Sequence, residues 1–273
     1  MTKNAEQAVA ILRARGAADP VDFAVLLGFG LAGFSETLSE GVSVDYSELP
    51  GFAGIDEPGA PAGRLSIGRF EGASVCILYG QTHFYGAGDP TCMLTPLRTV
   101  KLLGAKYLLI FACAGSAKPD LYPGNLMQVT DHIALFGLNP LIGLNDQDAV
   151  QPLHDAYDSR LQRRFKRAAA AAGVPLQDGV FMWVSGPNFA TPAEARVARQ
   201  MGADALGFGI APEVVLARYV GLRVAAVAAA THLATAAAQG AEPSLAEVQR
   251  HALAAGVPLR RLLRAFMKTA DTL

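Results

Sequence analysis

The chain is poor in cysteine and tryptophan, and it carries neither a block of like charge nor an unbroken run of bulky apolar residues long enough to cross a bilayer. Its three cysteines, Cys76, Cys92 and Cys113, lie in apolar surroundings without CxxC spacing. That pattern argues for buried thiols and against a disulfide framework or a zinc site. No HxxxH, HxxE or carboxylate cluster offers metal-ligand spacing, so no metal is expected. With 23 basic and 24 acidic residues the formal charge is −1, and no basic stripe interleaves with aromatics. Nucleic acid is therefore a poor partner and a small molecule a better one. The alanine-rich stretch 225–238 is interrupted by His232 and lacks the bulky side chains of a membrane span, which leaves a buried strand running into a loop or helix. Residues 1–16 read as an amphipathic helix and not a secretory leader, so a cytoplasmic protein is expected.

What the chain does contain is alternation. At 273 residues it can bury a large core, and no stretch has a linker's composition, so one domain over 1–273 is expected. Short β-rich runs recur at 21–28, 74–79, 106–112, 126–135, 179–184 and 223–230, most of them apolar on both faces, as strands covered by helices must be. Helix-period segments lie at about 4–15, 91–103, 159–172, 191–201 and 211–220, with another from about 244. Thr191-Pro192-Ala193-Glu194 is a helix start, with a capping hydroxyl, proline in the first turn and an acid to meet the free N–H groups. The polar stretch 41–63, with its glycines and prolines, reads as an irregular excursion. This order predicts a three-layer α/β fold with a central mixed sheet, whose ligand binds where strands end in loops.

The scarce polar residues fall in those loops. Gly28-Phe29-Gly30-Leu31-Ala32-Gly33 follows a strand and can bring backbone N–H groups to an anion, although the bulky Phe29 counts against phosphate and a bare strand-to-helix turn explains the glycines equally well. His83 has polar company in Gln81, Thr82 and Tyr85, and can act near neutral pH or be structural. Ala112-Cys113-Ala114-Gly115 ends a strand, where small residues admit a flat ring or simply tight packing. Phe189 offers a stacking surface for a heterocycle, or belongs to the core. Thr231-His232 places a hydroxyl and an imidazole at a strand's carboxyl end, where a leaving base can meet a proton donor.

Several ordered segments carry a resemblance: Leu27-Gly28-Phe29-Gly30-Leu31, Gly80 to Tyr85, Pro96-Leu97-Arg98, Ala114-Gly115, Asn139-Pro140-Leu141, Gly186-Pro187-Asn188-Phe189, Met201-Gly202-Ala203-Asp204-Ala205 and Pro212-Glu213. With these the chain resembles the trimeric purine nucleoside phosphorylases over nearly its whole length. The resemblance implies a phosphorylase/hydrolase-like fold, a homotrimer, and pentosyl transfer from a purine nucleoside or related compound, with no cofactor and with phosphate as co-substrate. With the residue chemistry it points to a site in which His83 acts catalytically, as does His232 on the chemistry of its imidazole, and Gly28, Gly30, Tyr85, Cys113, Ala114, Gly115, Phe189, Phe208, Gly209 and Thr231 bind substrate. Against the family pattern, Phe29, Gln81 and Gly209 stand where two serines and an arginine contact phosphate, Ala190 replaces a purine-reading glutamate, and His232 an asparagine; Ala112 and Leu245 also replace polar residues. The stretch 144–154 lacks the aromatic that usually completes a neighbour's site. Water in place of phosphate, or binding without turnover, are the alternative readings. As imidazolium, His232 is expected to donate to a purine nitrogen and to suit a 6-amino or unusual base.

Overall fold

The computed structural model describes residues 2–17, 20–28, 31, 38–54, 63–135, 138–144, 147–234 and 243–268. Among the described residues one sheet holds β1 (Phe23–Leu27), β2 (Ser39–Asp45), β3 (Arg64–Phe70), β4 (Ala73–Tyr79), β5 (Tyr107–Ser116), β6 (Leu126–Ile133), β7 (Leu176–Trp183), β8 (Ala205–Gly207) and β9 (Arg223–Leu233). The helices are α1 (Thr2–Ala14), α2 (Phe84–Ala87), α3 (Leu94–Leu102), α4 (Ser159–Ala172), α5 (Pro192–Gln200), α6 (Ala211–Tyr219) and α7 (Leu245–Met267). No described helix is long and apolar enough to cross a membrane.

The strands follow the order β2-β3-β4-β1-β5-β8-β7-β6-β9, and β9 also pairs with β5. That extra pairing closes the last five strands on themselves, so β5 belongs both to an open sheet and to a small barrel. Strands β4, β1, β5 and β9 run parallel, whereas β8 opposes β5 and β6 opposes β9. The sheet is mixed, as expected.

Side-chain alternation along β5 and β9 makes the three layers. Leu108, Ile110, Ala112, Val224, Ala226 and Ala228 pack toward α1, α3 and α6, while Leu109, Phe111, Ala225 and Val227 pack toward α4 and α7. Each large apolar side chain so buried contributes about 1.5–3 kcal/mol against its exposed state. The second layer is locked by a buried cation: Arg164 of α4 donates from Nε to the Phe266 carbonyl at 3.0 Å, and its guanidinium lies 4.0 Å from the Phe266 ring centroid and 5.4 Å from that of Phe23. The last carbonyls of a helix carry partial negative charge, so a cation at the end of α7 is doubly favoured.

Helix expectations are met closely. Segment 159–172 is helical over those residues, capped by Asp158, and Thr191 and Glu194 form a reciprocal capping box at the start of α5. The stretch 41–63 departs from expectation in its first part. Residues 41–45 belong to β2, which pairs antiparallel with β3, and a 3-10 turn follows at Tyr46–Glu48. β2 is an edge strand with Val44 its one buried side chain, so it shows almost no apolar alternation. Residues 55–62 of that stretch lie outside the described residues.

Replacing Arg164 by Ala removes the bond to the α7 terminus and leaves a large void, so unfolding in urea should show a loss of about 3 kcal/mol or more. A loss below about 1 kcal/mol would mean that this contact does not hold α4 to α7.

Candidate active site

A cavity of about 330 Å³ opens at the strand ends. Gly28 follows β1, Gln81 and His83 follow β4, Ala112 to Gly115 finish β5, Val184 to Ala190 follow β7, Phe208 and Gly209 follow β8, and Thr231-His232 lie in the last residues of β9. The crevice beyond strand ends at a change of strand direction is where such sheets bind ligands. Among its described lining residues there is no Lys, Arg, Asp or Glu.

One end of the cavity is polar. Gln81 is buried, and its amide nitrogen donates to His83 Nδ1 at 3.0 Å, which puts the neutral ring's proton on Nε2. The His83 ring stacks on Tyr85 at 5.0 Å, and Tyr85 meets the edge of Phe208 at 5.6 Å. Phe208 is held in turn by its carbonyl, which accepts from Trp183 Nε1 at 2.8 Å. Gln81 fills the space beside Gly209 so fully that a Cβ at residue 209 would come within 2.3 Å of the amide nitrogen. Among the described residues Gln81 Oε1 is buried and finds no hydrogen-bond partner.

The floor of this end is a strained turn. Ile210 has φ 71° and ψ −66°, and the Ala211 N–H donates to the Gly209 carbonyl at 3.0 Å. These are the angles and the bond of a γ-turn, which costs a β-branched residue on the order of 1–3 kcal/mol. The turn starts α6, whose buried Glu213 interacts electrostatically with His83. Burial pushes the Glu213 carboxyl up, and the nearby His83 and the Glu213 and Ile210 backbone groups pull it back.

The other end is apolar, walled by Val184, Ala190, Leu206 and Ala234, which pack in one cluster. Phe189 and His232 meet edge to face at 5.0 Å. A β-bulge sets the imidazole: Ala114 pairs with Ala230 but Gly115 pairs with His232, so Thr231 is the extra residue. A bulge re-aims the side chain that follows it. His232 Nε2 consequently lies directly over Gly115, where a Cβ would come within 2.6 Å.

Comparisons with known proteins agree with this architecture. The Phosphorylase superfamily profile matches residues 22–268. The chain belongs to that superfamily. Purine nucleoside phosphorylase 1 of Geobacillus stearothermophilus is 33% identical over 232 residues, covering 84% of each chain. The purine nucleoside phosphorylase of Bos taurus is 38% identical over 210 residues, covering 74% of this chain and 72% of its own. A crystal structure of the Schistosoma mansoni purine nucleoside phosphorylase in complex with adenosine superposes with a TM-score of 0.90 at 26% identity, covering 98% of this chain and 97% of that one.

In this phosphorylase-superfamily chain the expected site residues come together. His83, His232, Gly28, Tyr85, Cys113, Ala114, Gly115, Phe189, Phe208, Gly209 and Thr231 all line the one cavity. Gly30 and Phe29 lie outside the described residues. Two expectations change. The Gly28 N–H donates to the Phe111 carbonyl at 2.8 Å, extending the β1–β5 ladder, and is not open to an anion. His232 is not an imidazolium at neutral pH, because burial and the neighbouring His251 lower it from 6.5 to about 4. Sequence reasoning missed Glu213 as a neighbour of His83, and missed Val184, Leu206, Ala234 and Val248 as cavity wall. Apolar lining residues have no signal that separates them from core.

The lowered value has a sign. The unfolded chain takes up the proton first, so the stability contributed by neutral His232 is present above about 6.5 and is lost as pH falls from there through about 4. Nitrogen NMR of the labelled imidazole should report a neutral ring protonated on Nδ1 between about pH 5 and 8. A charged ring in that range, or a proton on Nε2, would contradict the arrangement.

Proposed function

We propose that this protein cleaves the N-glycosidic bond of a purine nucleoside or related compound by pentosyl transfer. The observation that carries the reading is the division of one cavity into a polar end at His83 and Tyr85, suited to a sugar, and an apolar end at Phe189 and His232, suited to a flat base. In the reaction the bond between the anomeric carbon and the purine nitrogen breaks with its electron pair leaving on the base, and an oxygen nucleophile bonds to that carbon. Catalysis of this kind rests on positioning and on a dry, preorganised surround. His83 and Tyr85 hold the sugar, and Phe189 supports the base at an energy of about 1–3 kcal/mol.

The identity of the nucleophile admits a second reading, favoured by one observation. The Gln81 amide occupies the space beside Gly209, at the positions that the family resemblance assigns to phosphate contacts. A neutral amide lacks the charge-assisted fork with which arginine grips a phosphate. Its buried, unpartnered Oε1 suits a donor such as water. With water as nucleophile, the proton it loses is the one the departing purine gains.

A homotrimer in the cytoplasm is part of this reading. Leu135, Leu138, Ile142 and Val150 are exposed apolar side chains suited to a subunit contact, and none of Cys76, Cys92 and Cys113 is in a disulfide, which suits a reducing compartment. Size-exclusion chromatography with light scattering should return three chains; a monomer would remove the trimer from the reading.

Chromatography of the products from a nucleoside panel, run with and without inorganic phosphate, tests the activity. Free purine should accumulate. Release that needs phosphate identifies phosphorolysis, release that ignores it identifies hydrolysis, and no release from any nucleoside would overturn the proposed function.

A further inference from the structure

His232 supplies the apolar end of the cavity with a hydrogen-bonding atom of fixed polarity. The Thr231 hydroxyl owns one proton, and its bond to the Ala114 carbonyl at 3.2 Å uses it. In the 3.1 Å contact between Thr231 Oγ1 and His232 Nδ1 the ring must therefore be the donor. A neutral imidazole has one proton, so Nε2 is left as a bare acceptor. His251 does not alter this assignment, because its own Nδ1 bonds to the Thr231 backbone carbonyl at 2.8 Å. The ring lies between Phe189, at 5.0 Å, and Gly115 beneath Nε2, and its bond to Thr231 Oγ1 keeps Nδ1 on the hydroxyl. The surrounding wall of Val184, Ala190, Leu206 and Ala234 brings no competing side-chain donor.

We propose that His232 Nε2 makes this pocket select purines that carry an amino group at the ring carbon where hypoxanthine carries its carbonyl. The inference rests on the reading above, in which the base occupies the apolar end. An amino N–H offered to Nε2 completes the hydrogen bond. A carbonyl oxygen offered there sets two lone pairs against each other in a pocket with little water, and both acceptors lose their partners. Carboxamide side chains behave differently, since rotation presents either N–H or C=O to the base. Thr231 acts as a positioning residue, because its hydroxyl dictates which ring nitrogen holds the proton.

The experiment measures binding of free adenine and hypoxanthine to the intact protein by calorimetry, alongside base release from adenosine and inosine, in wild type, His232→Asn and Thr231→Val. Wild type should favour the amino base by at least roughly tenfold. His232→Asn should bring the ratio close to one. Thr231→Val, which keeps the shape but frees the ring to exchange tautomers, should lower the ratio while adenine still binds. Equal affinities in wild type, or a preference for hypoxanthine, would overturn the inference and leave the nucleoside reading standing. An unchanged ratio in Thr231→Val would overturn it as well, and that variant decides the matter even where His232→Asn fails to fold. Binding of neither base, with no release from either nucleoside, would remove the underlying reading and this inference with it.

Discussion

Strands β5 and β9 run parallel and in register from Tyr107 and Arg223 up to Ala114 and Ala230, and then lose register by one residue at Thr231. This single pairing closes the barrel, because β5 and β9 are already joined the long way round through β8, β7 and β6. It also explains the composition of the two strands. In β5 the bulky residues sit early and alternate between the two helical layers, residues 112–115 shrink to Ala, Cys and Gly, and residues 228–230 of β9 are all Ala, where the barrel closes and a ligand must approach the backbone. The bulge then turns Thr231 and His232 so that one side chain braces the other. Without that slip, strict alternation would carry His232 onto the face shared by Ala226 and Ala228.

Around this junction the cavity divides its polarity sharply. At one end Gln81, His83 and Tyr85 form a chain of bonded and stacked groups over a strained turn at Ile210. At the other, apolar residues surround a neutral imidazole. The described lining holds no Lys, Arg, Asp or Glu, so recognition depends on the direction of hydrogen bonds and on shape more than on ion pairing. Gln81 and Gly209 illustrate how coupled such a surface is. The amide fits because residue 209 has no side chain, and a side chain at 209 fits only if the amide moves. Neither residue is interpretable alone.

Much of the scaffold was legible in the chain. Runs apolar on both faces marked the central strands, and capping residues marked the helix starts, because these signals are local and repeat with the period of the element. Strands β2, β3 and β8 were not legible for three different reasons. β2 has one buried residue, β3 breaks its pattern with Gly68 and Arg69, and β8 is three residues long. Their conformation is set by the partner strand, which no window of sequence contains.

By itself the sequence determined the α/β class, the positions of every described helix but the four-residue α2, and which loops would carry the scarce polar residues. Each of these follows from side-chain periodicity and from the chemistry of chain turns. The tertiary structure alone decided that Gln81 fills the space beside Gly209, that the Gly28 N–H is used within the sheet, and that His232 is neutral with a bare Nε2. These outcomes depend on contacts between residues far apart in the chain, on burial that shifts a proton equilibrium, and on one residue of slip between two strands.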